Sequence, residues 1–477
     1  MVRTLHRAVV AGATAAVTLL GLGSGAMAGG LLNWGAVTAD LTAPALPNAQ
    51  VSALFRDVGS GSTAYALGQN VALPPASTLK LLVSATALAD LGPGYRFATT
   101  VEGRASAGVV DGSVYLVGSG DPSLTSGDIA RLAATLAQRV HTVRGAVVAD
   151  ASALSGPYGD GWDPADNDAG WQAIPSALTV NHGQFVMEVR PGAAPGDPVQ
   201  VAVDPAVATD VRVTATTVAA GDQTTVNDLR VNGQPAAATV VGDVAAGASP
   251  IRLTMSVRDP ALWAAELFAA DLARDGVHVD GGVSVGRAPR GLNVLASHRS
   301  ASLAGLLYNQ DKWSINVSAE DLLRDVGRAQ YGAPGTVSKG IAAEHAWLRR
   351  EGIPWTGAIY DGSGLSTIDR VSAADLVGLL LKVRRMPWFP AFEHALPVAG
   401  ASARQVSGTL GEIGLFTGFH GVVLAKTGDV ALAENLAGYL RTSSGQWMAF
   451  AVLVNGLPFW EAGWRQEVKA IEVVAAP

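Results

Sequence analysis

Strand-like patterning at the two ends of this chain, with a long stretch of different texture between them, is the strongest constraint on its fold. Near the start, Val51, Ala53 and Phe55 alternate with smaller or polar residues. Asp57-Val58-Gly59-Ser60-Gly61 is a turn cluster, after which Thr63, Tyr65 and Leu67 resume the alternation. This predicts a β-hairpin closed by Pro74-Pro75. Near the end, residues 421–425, 434–441 and 447–454 read as three strands, with Thr442-Ser443-Ser444-Gly445 as a tight connection. Between these ends, from about residue 99 to about 296, lysine is absent, and Val, Thr, Ala and Asp alternate in short runs broken by Gly and Pro. That middle reads as one or two β-rich modules with helices near 128–139 and 260–275. The expected fold class is therefore α/β in the broad, α+β sense. Residues 51–98 and 296–477 build one domain with an antiparallel sheet and flanking helices, and 99–295 are inserted into it.

Helical spacing places the remaining elements. Residues 78–91 are apolar nearly all round, which predicts a buried helix, and Gly92-Pro93-Gly94 ends it. Further helices are expected over 302–329, 335–351 and 459–474.

Bulk properties exclude several functions. A chain of 477 residues suits two or three domains. Only 15% of residues are charged, the net charge is -7, and Lys and Arg form no stripe, so nucleic acid is not an expected partner. Without cysteine there is no disulfide, thiolate metal site, cysteine nucleophile or lipidated anchor. The histidines show no metal-ligand spacing, and no metal site is expected. At the N-terminus, Arg3, His6 and Arg7 precede an uncharged run over 8–22, and Ala26-Met27-Ala28 supplies a small-x-small cleavage pattern. Residues 1–28 thus read as a signal peptide and 29–50 as a polar linker. If the segment were retained, it would act as an anchor and favour peripheral membrane association. Either way the expected location is exported, in the cell envelope, periplasm or cell wall.

Three short motifs carry the chemistry. Lysine is confined to Lys80, Lys312, Lys339, Lys382, Lys426 and Lys469, so each lysine-containing pattern is informative. Ser77-Thr78-Leu79-Lys80 opens the apolar helix, and positions i and i+3 share a face. A lysine among Leu79, Leu81, Leu82 and Val83 is expected to lose basicity on burial, as the base of a serine nucleophile requires. The plainer alternative makes Ser77 an N-cap and lets Lys80 snorkel to solvent. Ser314-Ile315-Asn316 occurs once; its plainer reading is a helix cap. Lys426-Thr427-Gly428 lies at the first of the late strands, where glycine admits a ligand backbone and Lys and Thr offer donors to a carboxylate.

The order Ser-x-x-Lys, Ser-x-Asn, Lys-Thr-Gly, each found once, resembles the penicillin-recognising serine enzymes. With a long insertion after the first motif, the chain is similar to the D-Ala-D-Ala carboxypeptidase/endopeptidase family typified by penicillin-binding protein 4, peptidase family S13. The stretches Pro75–Lys80, Gly118-Ser119-Gly120-Asp121-Pro122, Ala319-Glu320, Asp361-Gly362-Ser363-Gly364-Leu365 and Asn435-Leu436-Ala437-Gly438-Tyr439 look like that family too. The resemblance implies a transpeptidase/β-lactamase-like domain that cleaves peptidoglycan stem peptides. It implies Ser77 as nucleophile, Lys80 as its base and Ser314 as the relay to the leaving D-alanine. Asn316, Lys426, Thr427, Gly428 and Asp429 would bind substrate, with the Ser77 and Asp429 N–H groups forming the oxyanion hole. β-Lactams would acylate Ser77 as covalent inhibitors, and no cofactor is implied.

Two positions depart from the family pattern. Ile315 replaces a frequent Asp, and Asp429 stands where a hydroxyl residue is usual; a carboxylate facing the substrate carboxylate would repel it. Two other functions remain open at this level. One is a β-lactamase, although no convincing Glu-x-x-x-Asn loop lies between the first two motifs. The other is a catalytically impaired envelope protein of the same fold that binds peptidoglycan.

Overall fold

The computed structural model describes residues 32–156, 158–163, 169–225, 227–230, 236–459 and 462–475. The signal peptide expected over 1–28 lies outside the described residues. Strands Gln50–Asp57 and Thr63–Leu67 join Val422–Val430, Ala433–Arg441 and Trp447–Asn455 in one antiparallel sheet. The first early strand pairs with the last late one along its whole length, from Gln50 opposite Asn455 to Asp57 opposite Met448. The edge on the other side is Val422–Val430, which runs on through Lys426-Thr427-Gly428.

The period-two alternation sends side chains into two separate cores. Leu54, Ala437, Tyr439, Ala449, Ala451 and Leu453 face the buried helix Lys80–Asp90 and its neighbours. Ala53, Phe55, Leu436, Leu440, Phe450 and Val452 face the opposite way, against the C-terminal helix Ala462–Ala475. Residues 33–50 correct the expectation of a linker: Trp34–Leu41 is a helix, N-capped by Asn33. Val37 and Leu41 are buried against that second core, and the Trp34 ring stacks on Tyr65 at 5.3 Å. The apolar spacing is too short a run to stand out in the sequence; packing on the sheet supplies the stability that an eight-residue helix lacks alone.

Between residues 98 and 299 the strands pair only among themselves. Ala98–Gly103, which follows the buried helix, lies antiparallel to Asn293–Arg299, which precedes the helix at 303. The first and last strands of this stretch therefore meet side by side. Helices Ser126–Ala137 and Pro260–Arg274 cover a third core, the former with a reciprocal capping box between Thr125 and Asp128. The helical stretch 302–329 is in fact two helices, Leu303–Trp313 and Asn316–Tyr331, broken at Ser314, whose φ is 55°. Among the described residues no helix is long and apolar enough to cross a membrane.

Candidate active site

The Ser77 turn is built by local geometry and held by close packing. Residues Ala76–Leu79 form a 3₁₀ turn that continues into the helix Lys80–Asp90. With three residues per turn, i and i+3 eclipse, which sets Lys80 Nζ 2.7 Å from Ser77 Oγ. Neither plainer reading survives: Ser77 makes no capping bond, and Lys80 is fully buried rather than snorkelling. Ala76 sits at φ 47°, a left-handed conformation costing roughly 1–2 kcal/mol for a residue with a Cβ. Close neighbours hold it there. Gly364 lies so near that a Cβ on it would meet the Ala76 carbonyl at 1.9 Å. Asn435 Nδ2 donates to the Pro74 carbonyl at 3.0 Å. Gly428 leaves room on the third side, where a Cβ would come within 2.8 Å of Pro75 O and 3.1 Å of Ser77 N.

Lys80 Nζ has three partners: Ser77 Oγ at 2.7 Å, Asn316 Oδ1 at 2.7 Å and the Ser363 carbonyl at 2.8 Å. The last two are oxygens that can only accept. A neutral amine has two N–H bonds and one lone pair, so those acceptors take both N–H bonds and the lone pair is left facing the serine hydroxyl. The amide of Asn316 cannot flip without loss, because its Nδ2 donates to the Trp171 carbonyl at 2.8 Å. Burial, reinforced by the charge of Lys426, pushes the Lys80 amine down to about 7, against the opposing pull of Asp361, Asp311 and Glu320.

Lys426 is also fully buried, and burial pushes it down to about 8, with Asp311 and Asp429 acting in the other direction. It donates to the Thr427 carbonyl at 2.9 Å. Thr427 Oγ1 donates to Thr409 Oγ1 at 2.8 Å, on the helix Arg404–Glu412. Asp429 lies two residues further along the strand, exposed and on the same pleat face as Thr427. Its charge reaches Lys426.

The structure therefore brings Ser77 and Asn316 together at Lys80 and sets Gly428 against the Ser77 turn. Ser314 stands at the left-handed C-cap that precedes Asn316. Among the described hydrogen bonds its hydroxyl has none to Lys80 or Lys426.

Several contributors escaped the sequence reading. Asp311 is fully buried, and its Oδ2 accepts from Ser84 Oγ at 2.8 Å, one turn below Lys80. Burial raises its carboxyl to about 6, opposed by Lys426, the Ser84 and Gln310 bonds and Lys80. The neighbouring Lys312 turns away from the site to bind the carbonyls of Leu396 and Val406. Nothing in a lone Asp-Lys pair within a helix signals these two opposite roles. Ser363, by contrast, lies in a quoted stretch whose Gly-Ser-Gly composition marks a turn. Its carbonyl is oriented by bonds to the fully buried Asp361 and Glu320.

The match to a family model for the D-Ala-D-Ala carboxypeptidase 3 (S13) family spans residues 34–476. The chain belongs to that family. It is 36% identical over 437 residues to a D-alanyl-D-alanine carboxypeptidase of an Actinomadura species, covering 88% of this chain and 80% of the relative. It is 28% identical over 437 residues to a D-alanyl-D-alanine carboxypeptidase of Haemophilus influenzae, covering 87% of this chain and 89% of that one. The crystal structure of penicillin binding protein 4 from Haemophilus influenzae superposes with a TM-score of 0.79 at 24% identity, over 92% of this chain and 98% of that one. The fold is shared along nearly the whole length.

Within this S13 family member the other quoted stretches serve the frame. Ser119 Oγ accepts from the Ala98 N–H at 2.9 Å, and its carbonyl accepts from Arg328 at 3.0 Å. This stretch thus fastens the 98–299 segment to helix Asn316–Tyr331, about three turns along from Asn316. Tyr439 donates its hydroxyl to the Leu380 carbonyl at 2.7 Å, tying sheet to helix Ala373–Val383.

Proposed function

We propose that this family member is a serine D-Ala-D-Ala carboxypeptidase or endopeptidase of peptidoglycan stem peptides, working outside the cytoplasm and acylated by penicillin. The observation that carries the reading is the three-partner arrangement of Lys80, which leaves a lone pair for the Ser77 proton. Ser77 Oγ attacks the carbonyl carbon of the D-Ala-D-Ala bond as its proton passes to Lys80 Nζ. The Ser77 and Asp429 N–H groups receive the developing oxyanion; one such donor is typically worth about 3 kcal/mol in the transition state. The C–N bond then breaks, and the proton returns through Ser314 to the leaving amine. Lys426 and Thr427 attract the terminal carboxylate, and Asn316 bonds the substrate amide. Water attacks the acyl ester, restoring Ser77. We read 51–98 with 296–477 as the catalytic unit, and 99–295 as an insertion that reaches it through Trp171.

Labelling of the purified protein with a fluorescent penicillin, against a Ser77→Ala control, tests this reading. Stable label lost in the control is expected. Folded protein that takes no label would point instead to the catalytically impaired envelope protein. Label that turns over rapidly would point to a β-lactamase.

A further inference from the structure

One helix fixes both oxygens that receive the Lys80 N–H bonds. Asn316, its first residue, supplies Oδ1 directly. Glu320 lies four residues on, hence on the same face, and is fully buried. Its Oε1 accepts from the Gly362 and Ser363 N–H groups, each at 2.8 Å. The Ser363 residue thus gripped presents its carbonyl to Lys80 Nζ. Arg324, four residues further along and also fully buried, donates to Glu320 Oε2 at 2.8 Å. It also reaches the Gly156 carbonyl of the inserted region at 3.2 Å. Residues 316, 320 and 324 form a ladder up one helix face, ending at the amine.

We propose that Glu320 is a positioning residue of the active site: by holding the Gly362 and Ser363 peptides it sets the Ser363 carbonyl, and thereby aims the Lys80 lone pair at Ser77. This rests on the role proposed above for Lys80 as base. Other buried acids crowd the same place. Glu344, from helix Val337–Arg350, faces Glu320 with both carboxyl oxygens lacking a hydrogen-bond partner. Burial, helped by Glu320 and Asp361, pushes the Glu344 carboxyl well above the usual carboxylate range. Asp369 is pushed up to about 10 by burial and by Asp361. Asp361, also raised by burial and by Glu320, is occupied by the Gly364 and Ser366 N–H groups and by Trp162. Lys426 and Asp311 also act on Lys80 through their charges. Among these acids Glu320 has the buried guanidinium as its partner.

The test is the penicillin acylation rate of full-length protein across pH, for wild type, Glu320→Asp and Glu320→Gln. Aspartate keeps the charge but is one methylene short of the two N–H groups. Its plateau rate should fall at least about tenfold with the pH midpoint in place, since small misplacements of a reacting group are costly. Glutamine keeps the reach but removes a charge that favours protonated Lys80, so its midpoint should move to lower pH, on the order of half a unit. Should the lone Arg324 prevent the glutamine variant from folding, Glu320→Gln with Arg324→Met removes both charges and should show the same direction of shift. The proposal is overturned if both charge and length variants follow the wild-type profile, or if they lose only the amount of folded protein while its rate and midpoint stay unchanged. Wild type that takes no label, or a Ser77→Ala control that labels equally, would instead break the underlying reading of the base.

Discussion

Two buried lysines face each other across this site, and they are held in opposite ways. Lys80 is gripped by three oxygens drawn from three separate parts of the chain, at 2.7, 2.7 and 2.8 Å. Among the described residues Lys426 has a single hydrogen-bond partner, the carbonyl next to it on the same strand. A base must have its lone pair aimed to within a fraction of an ångström. A group that attracts a carboxylate acts through its field and needs only to be near and dry. Lys80 has an environment that fixes direction; Lys426 has one that fixes location.

The strongest way to break this comparison is to remove Lys80. Lys80→Met should lower penicillin acylation about a thousandfold while leaving non-covalent binding of a carboxylate ligand within a few-fold. Equal losses in both would show that the two lysines do the same work. The same variant tests the cost of burying the amine. Its folded value of about 7 lies below the ordinary lysine value of 10.5. Between those values the unfolded chain holds a proton that the native state lacks, so this group makes stability rise with pH. Denaturant melts from pH 7 to 10 should show a flatter pH slope once Lys80 is gone.

Lys426→Met should cost less, about ten- to a hundredfold in kcat/KM. The loss should fall on substrates ending in a free carboxylate and largely vanish on the amidated peptide. A loss that is the same for both would assign Lys426 to the proton path instead.

Asp311→Asn sharpens the electrostatic side. The Asp311 carboxylate raises both lysines, so its removal should lower both. The rise of acylation rate through about pH 7 should therefore move to more acidic pH, with the plateau changed by less than about threefold. A shift to higher pH would reverse the sign assigned to that carboxylate.

Asp429→Thr should have the smallest effect. Asp429 is exposed, so water and salt screen its charge. We expect KM for carboxylate substrates to improve about two- to fivefold at low ionic strength, and the gain to fade at high salt. Unchanged kinetics at low salt would show that the side chain does not oppose the substrate.

The sequence by itself determined much of this protein. Alternation at its two ends anticipated the five strands, and the apolar run after Thr78 anticipated the buried helix. Residue types at short spacing anticipated Ser77 beside Lys80, because i and i+3 meet by helix geometry alone. Other features needed distant chain. Trp34–Leu41 is a helix because a sheet face built from residues 50–57 and 433–455 lies ready to receive it. Ser314 breaks a helix that periodicity alone would continue. Asp311, Glu320 and the Trp171 carbonyl matter through partners far away in sequence: Ser84, Gly362 and Ser363, and Asn316. Local spacing carries information about neighbours one turn apart. The direction of a lone pair depends on where two remote oxygens, Asn316 Oδ1 and the Ser363 carbonyl, come to rest, and that is decided only when distant parts of the chain pack together.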